Sequence, residues 1–240
     1  MTGSAKRWRR VAIDIAVIAL GLFALSFLPP DTSLRDRKQQ GVLRFCVPSA
    51  STALVNTADP KNPGTELSEM EGVADRLGLR LQVQVIPNMG RSFNPRDWHI
   101  SRGQCDVIGG GLADSPVNRG FLTLIPNGGQ IGLDLIGPDV PAGGTVGVYL
   151  DSAGLDRVKL SSWIRARGWK ARPLQTAADL AAWLSDGHAA IASSLMPRDP
   201  GLETRPLTAD AGQATTLAYG LWRGDMTLTR AVRNALQALD

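Results

Sequence analysis

Residues 65–86, TELSEMEGVADRLGLRLQVQVI, change their apolar period midway. Leu67, Met70, Val73, Ala74 and Leu77 recur at helical spacing, and Gly78 supplies a stop. Apolar residues then alternate strictly with Arg or Gln from 79 to 86. A helix with one apolar stripe followed at once by a strand with one apolar face needs a shared core to bury both. Residues 42–47, VLRFCV, read as a buried strand stopped by Pro48, and residues 106–108, DVI, as another. Strands connected through helices of this length are parallel, with right-handed crossovers. An α/β fold is expected.

The pattern restarts after Pro138. Residues 144–150 read as a strand, 155–167 as a helix, 171–174 as a short edge-like strand, 177–184 as a helix and 189–192 as a small-residue strand. An apolar strand at 215–222 and an amphipathic helix at 227–239 close the chain. Within the first half, between the strands at 79–86 and 106–108, Asn94 and Pro95 open a short helical turn that carries Trp98 and Ile100. Two similar lobes are implied, and the absence of a short-period repeat excludes solenoids and propellers.

The N-terminus makes a separate statement. Lys6, Arg7, Arg9 and Arg10 precede an apolar run at 11–28, interrupted only by Asp14 near its start. Eighteen apolar residues are the lower end of what spans a bilayer, and the basic cluster keeps residues 1–10 in the cytoplasm. A transmembrane helix is expected, with a cleaved signal as the rival whose best site is Ala24-Leu25-Ser26. Residues 29–40, PPDTSLRDRKQQ, lack apolar periodicity and read as a linker. Either way the remainder lies outside: an inner-membrane-anchored periplasmic domain, or a periplasmic one if the segment is removed. The net charge of +4 is matched by the four basic residues of that cluster. The rest is near neutral, which excludes a nucleic-acid partner.

On the oxidising side Cys46 and Cys105 are either a disulfide or two buried thiols. Catalysis finds little material. His99 and His188 fall in different lobes, no GxSxG elbow exists, and Gly109 to Gly111 lack the spacing and lysine of a phosphate loop. A site from Cys46, His99, Cys105 and His188 lacks close ligand pairs. Neither enzyme activity, nor a metal, nor a cofactor is expected.

Several segments together resemble a known family: GVLRFCVP, ELSEMEGVADRLGLRLQVQVI, SRGQCDVIGGGLADSPVNR, GGTVGVYLDSAG, LAAWLSDGHAAIASS and LAYGLWRGD. In order and spacing they resemble the type II periplasmic solute-binding proteins, the family 3 that includes amino-acid-binding proteins of ABC transporters. The resemblance implies lobe 1 at 41–136, lobe 2 at 137–204, a return to lobe 1 at 205–240, and a solute held between lobes. It implies an ABC permease or another membrane or periplasmic protein as partner. Arg119 matches the arginine that grips a ligand carboxylate, so a small anionic solute is expected, although SPVNR is one residue longer than the family's threonine-proline-x-arginine. Ser115 and Asp114, the backbone of Gly110 and Gly111, and Ser49 and Ser51 after the first strand complete the lobe 1 contacts. Asp151 and Ser152 supply those of lobe 2, unless they cap the following helix.

Two departures stand out. No aromatic follows the first strand in SASTALVN, and AAIASS lacks the acid that pairs with a ligand ammonium. Relatives on this fold can lose the small ligand, as in accessory proteins of methanol dehydrogenase gene sets. A ligand-free scaffold is therefore the alternative, and a hydrolase the remote one. The strand order implied by the resemblance sets the strands of Cys46 and Cys105 side by side, which favours a disulfide between them. An offset along them, at about 3.3 Å per residue, works against a bond.

Overall fold

A computed structural model describes residues 8, 13–21, 23, 30–49, 53–89, 95–150, 155–196, 199–208, 211 and 214–239. Residues 1–32 and 33–240 form two units. In the first, residues 13–21 and 23 are helical, and Ile13, Ile15, Val17, Ile18, Leu20 and Phe23 are exposed. Among the described residues no helix is long and apolar enough to cross a membrane. The expected N-terminal transmembrane helix is thus not found as a spanning element, and the other residues of the 11–28 run lie outside the described set.

The second unit opens with a correction. Residues 33–40, expected within a linker, form helix α1 (Ser33–Gln40). Its stabilisation is polar and therefore invisible to apolar periodicity. Ser33 Oγ accepts the Leu228 N–H at 3.2 Å, and Arg37 meets Asp106 at 3.3 Å. Leu34 alone adds an apolar contact to the core.

The first sheet has the order β2 (Arg80–Ile86), β1 (Val42–Pro48), β3 (Val107–Ile108), β10 (Thr215–Trp222) and β4 (Leu122–Ile131). β1 pairs parallel with β2 and β3, while β10 runs antiparallel between β3 and β4. Helix α2 (Thr65–Arg76) buries Leu67, Met70, Val73 and Ala74, the stripe legible in the sequence. Its apolar face joins that of α6 (Met226–Gln237) over Leu43, Phe45 and Val107. The opposite face of the sheet holds Trp98, Ile108, Leu112 and the two cysteines.

Cys46 and Cys105 are bonded, with Cα atoms 5.6 Å apart. The offset is removed by a turn. Gln104 and Cys105 both donate their N–H groups to the Ser101 carbonyl, so the chain doubles back before β3 instead of extending away. Arg44 holds that turn, donating to the Arg102 carbonyl at 3.0 Å and to the buried Asp106 carboxylate at 2.7 and 3.0 Å.

The second sheet runs β7 (Lys170–Pro173), β6 (Thr145–Tyr149), β8 (Ala190–Ser193), β5 (Leu133–Ile136) and β9 (Thr204–Pro206). α4 (Arg157–Ala166) buries Leu160, Trp163 and Ile164; α5 (Ala177–Ser185) buries Leu180 and Trp183. β5 belongs to this sheet because it pairs with β8, so the second sheet takes in residues from Leu133 onward. β9 likewise extends it beyond 204.

The chain crosses between sheets twice, at Gly132 between β4 and β5, and between β9 and β10. Gly132 is pinned at the first crossing. Its N–H donates to Ser194 Oγ at 2.9 Å, and its carbonyl accepts the Ser194 N–H at 3.0 Å.

Candidate ligand cleft

The exits of β1, β3 and β6 converge on one apolar cluster. Leu54 follows β1, Ala113 follows β3, and Leu155 follows β6; all three pack with Ile131 and Leu133, which flank the Gly132 crossing. Leu217 of β10 joins them, bridged to Ala113. The strand ends of both lobes thus meet at the crossings, where a parallel sheet presents backbone and helix N-termini to a ligand.

Helix α3 (Pro116–Phe121) decides where Arg119 goes. Ser115 is its N-cap, with the hydroxyl accepting the Asn118 N–H at 3.2 Å, and Pro116 fits its first turn. One helical residue rotates a side chain by about 100°. Asn118, which falls at the fourth position of the serine-proline-x-x run, is fully buried and donates to the Ala113 carbonyl at 2.8 Å. Arg119, one residue on, is 65% exposed and closes on Asp114 through two hydrogen bonds of 2.6 and 2.7 Å. That pair holds the Asp114 carboxyl below its usual range, because Arg119 donates to it. Arg119 thus faces outward with Asp114 as its partner, and the argument for an anionic solute loses its only residue.

Ser49 is exposed at the exit of β1, while Ser51, Asp151 and Ser152 lie outside the described residues. Gly110 and Gly111 are buried, with φ of 78° and 91°, a region that strains other residues. A Cβ on Gly109 would stand 2.6 Å from the Phe45 ring and 2.9 Å from Glu66 Oε2, and one on Gly110 would collide with Pro48. What approaches this bare backbone is an internal carboxylate. The Gly110 N–H donates to Glu66 Oε2 at 2.5 Å and Asn127 Nδ2 donates to Oε1 at 3.1 Å, while the nearby Gly111 N–H also favours the charged form.

Glu66 was not legible as a site residue, since it reads as the polar face of an amphipathic helix. It stands in the first turn of α2, whose N-terminus favours negative charge. Burial nevertheless raises its pKa from 4.5 to about 7, against the three donors and with a smaller push from Glu69. Asn127 is delivered by a bulge in which the register jumps between Thr216 and Ala218 of β10. Gly128, at φ 78°, provides the bend. Tyr219 donates its hydroxyl to Glu69 beside this group, and burial lifts its phenol above the ordinary range.

A cavity of about 210 Å³ lies elsewhere, between α4 and β7, lined by Val148, Leu150, Arg157, Leu160, Ser161 and Leu174. It belongs to the second lobe alone. Arg157 donates to the Leu150 carbonyl at 3.2 Å there, and burial lowers its pKa. Among the described residues no group of three His, Cys, Asp or Glu is placed to hold a metal ion.

No protein-family model and no curated protein matches the sequence. Solved structures do resemble it. An ArgBP variant from T. maritima is 18% identical, with 86% of this chain and 93% of that chain covered at a TM-score of 0.66. The protein Tv2483 bound to L-arginine is 14% identical, covering 88% and 90% at 0.68. The fold is that of type II periplasmic amino-acid-binding proteins. A substrate-binding protein of an ABC uptake transporter from Streptococcus pneumoniae, with bound histidine, adds a third case at 13% identity, 87% and 90% coverage and 0.66. In this fold the two crossings at Gly132 and before β10 connect the two sheets.

Proposed function

We propose that this chain is an extracytoplasmic solute-binding protein that closes its two lobes around a small polar solute and presents the closed form to a membrane partner such as an ABC permease. The observation that carries the reading is the meeting of Leu54, Ala113 and Leu155, from the exits of β1, β3 and β6, beside the Gly132 crossing. Two crossings, the first of them pinned at Gly132, and facing strand ends are what a hinged cleft requires. Two of the similar structures hold arginine or histidine, which supports a solute of amino-acid size. An anionic solute has no support, with Arg119 committed to Asp114. The exposed apolar side chains of the helical residues 13–21 support anchoring through the N-terminal run.

A ligand-free accessory role is the second reading, favoured by the engagement of Gly110 and Gly111 with Glu66. A thermal-shift screen of the full chain against amino acids, polyamines and organic acids separates the two. A saturable shift for one solute class supports binding; no shift for any class leaves the accessory role.

A further inference from the structure

We propose that Gly110, Gly111 and Asn127 form a carboxylate-binding nest whose occupant is Glu66, and that by filling it Glu66 bars a solute carboxylate from lobe 1. The consequence for solutes rests on the solute-binding reading above; the occupancy does not.

The chemistry is that of an anion site. Successive backbone N–H groups in a turn make a concavity that attracts an anion, and Gly110 and Gly111 are successive in a bend of positive φ. Donors from two segments reach both oxygens of one carboxylate, the Gly110 N–H at Oε2 and Asn127 Nδ2 at Oε1, with the Gly111 N–H close by. Glu66 is 2% exposed, so no solute group shares the site with it.

The occupant also sets what the wall offers. In a trans peptide the N–H and C=O point in opposite directions. With the N–H groups of Gly110 and Gly111 turned to Glu66, the carbonyls of Gly109 and Gly110 are turned away from it. A wall that presents carbonyls takes a hydrogen-bond donor, such as an ammonium or guanidinium, in place of a carboxylate. The titratable groups packed around Glu66 are Glu69 on α2 and Tyr219 on β10, and neither supplies positive charge.

The test is rescue by a free carboxyl group. Removing the side chain in Glu66→Ala leaves a small polar cavity at the nest, and acetate at pH 5, where much of it is the neutral acid that burial favours, is expected to raise the Tm of this variant saturably relative to sodium chloride, and by more than at pH 7. The wild type and Glu66→Gln, whose nest stays filled, are expected not to respond. An unresponsive Glu66→Ala, or an equal rise in all three proteins, overturns the proposal. Should Glu66→Ala not fold, amide NMR at one fixed pH decides: the signal of the Gly110 N–H, which donates to Glu66 in the wild type, is expected to lie well downfield of its position in Glu66→Leu. Equal positions in the two proteins overturn it. Neither readout uses a solute, so failure here leaves the solute-binding reading intact, and a failed solute screen leaves the nest intact.

Discussion

Reducing the Cys46–Cys105 bond should weaken the second unit by a predictable amount. The cysteines are 59 residues apart in sequence, and the bond closes a loop that contains α2, β2 and the turn before β3. For a loop of that length the chain-entropy relation gives about 4 kcal/mol, most of it acting on the unfolded chain. At roughly 2–4 °C per kcal/mol for a domain of this size, Tm should fall by about 8–16 °C. Urea unfolding of the oxidised and reduced protein supplies the assay. Reduction is expected to lower the midpoint and to raise the m-value, because an uncrosslinked chain exposes more surface. Both half-cystines are fully buried beside Trp98 and Ile108, so the reduced protein should fold and bury two thiols. Equal midpoints with equal m-values in the two states would refute the reasoning.

Other perturbations address the site. Glu66 has a pKa of about 7 in the folded chain against an ordinary 4.5, so the folded state binds the proton more tightly. The stability this provides is complete below about pH 4.5 and is lost as pH rises through about 7, with a ceiling of about 3 kcal/mol. Urea melts from pH 4.5 to 8 should show that loss in the wild type and a flatter profile in Glu66→Gln; parallel profiles contradict it. Gly110→Ala combines a positive φ with a collision at Pro48 and should cost about 1–3 kcal/mol in the same melts. Arg119→Ala removes an exposed ion pair, so both Tm and any solute affinity should stay at wild-type values. A large loss of affinity would restore Arg119 as a ligand contact.

The elements that could be read were those whose stabilisation is apolar and periodic. The stripe of α2 and the small-residue strand β8 follow directly from their sequences. β4 was hidden because Pro126, Asn127, Gly128 and Gly129 carry turn chemistry, yet here they form a bulge inside a strand paired with β10. α1 was hidden because its partners, Thr227 and Asp106, are remote in sequence. For the site, the glycine run was legible as bare backbone but its occupant was not. Glu66 is 44 residues away from Gly110, and one helical acid looks like another until the fold buries it. Arg119 shows the reverse problem. Its type fitted the expected role, but it faces outward, where Asp114 takes it.

The central claim is closure of the lobes around a solute. Small-angle scattering of the full chain, with and without a solute chosen by thermal shift from arginine, histidine and related donors, measures it most directly. The account predicts a saturable decrease in radius of gyration at the concentrations that raise Tm. A solute that raises Tm while the radius stays constant would contradict closure about the crossings, and a complete screen with no responding solute would contradict solute binding itself.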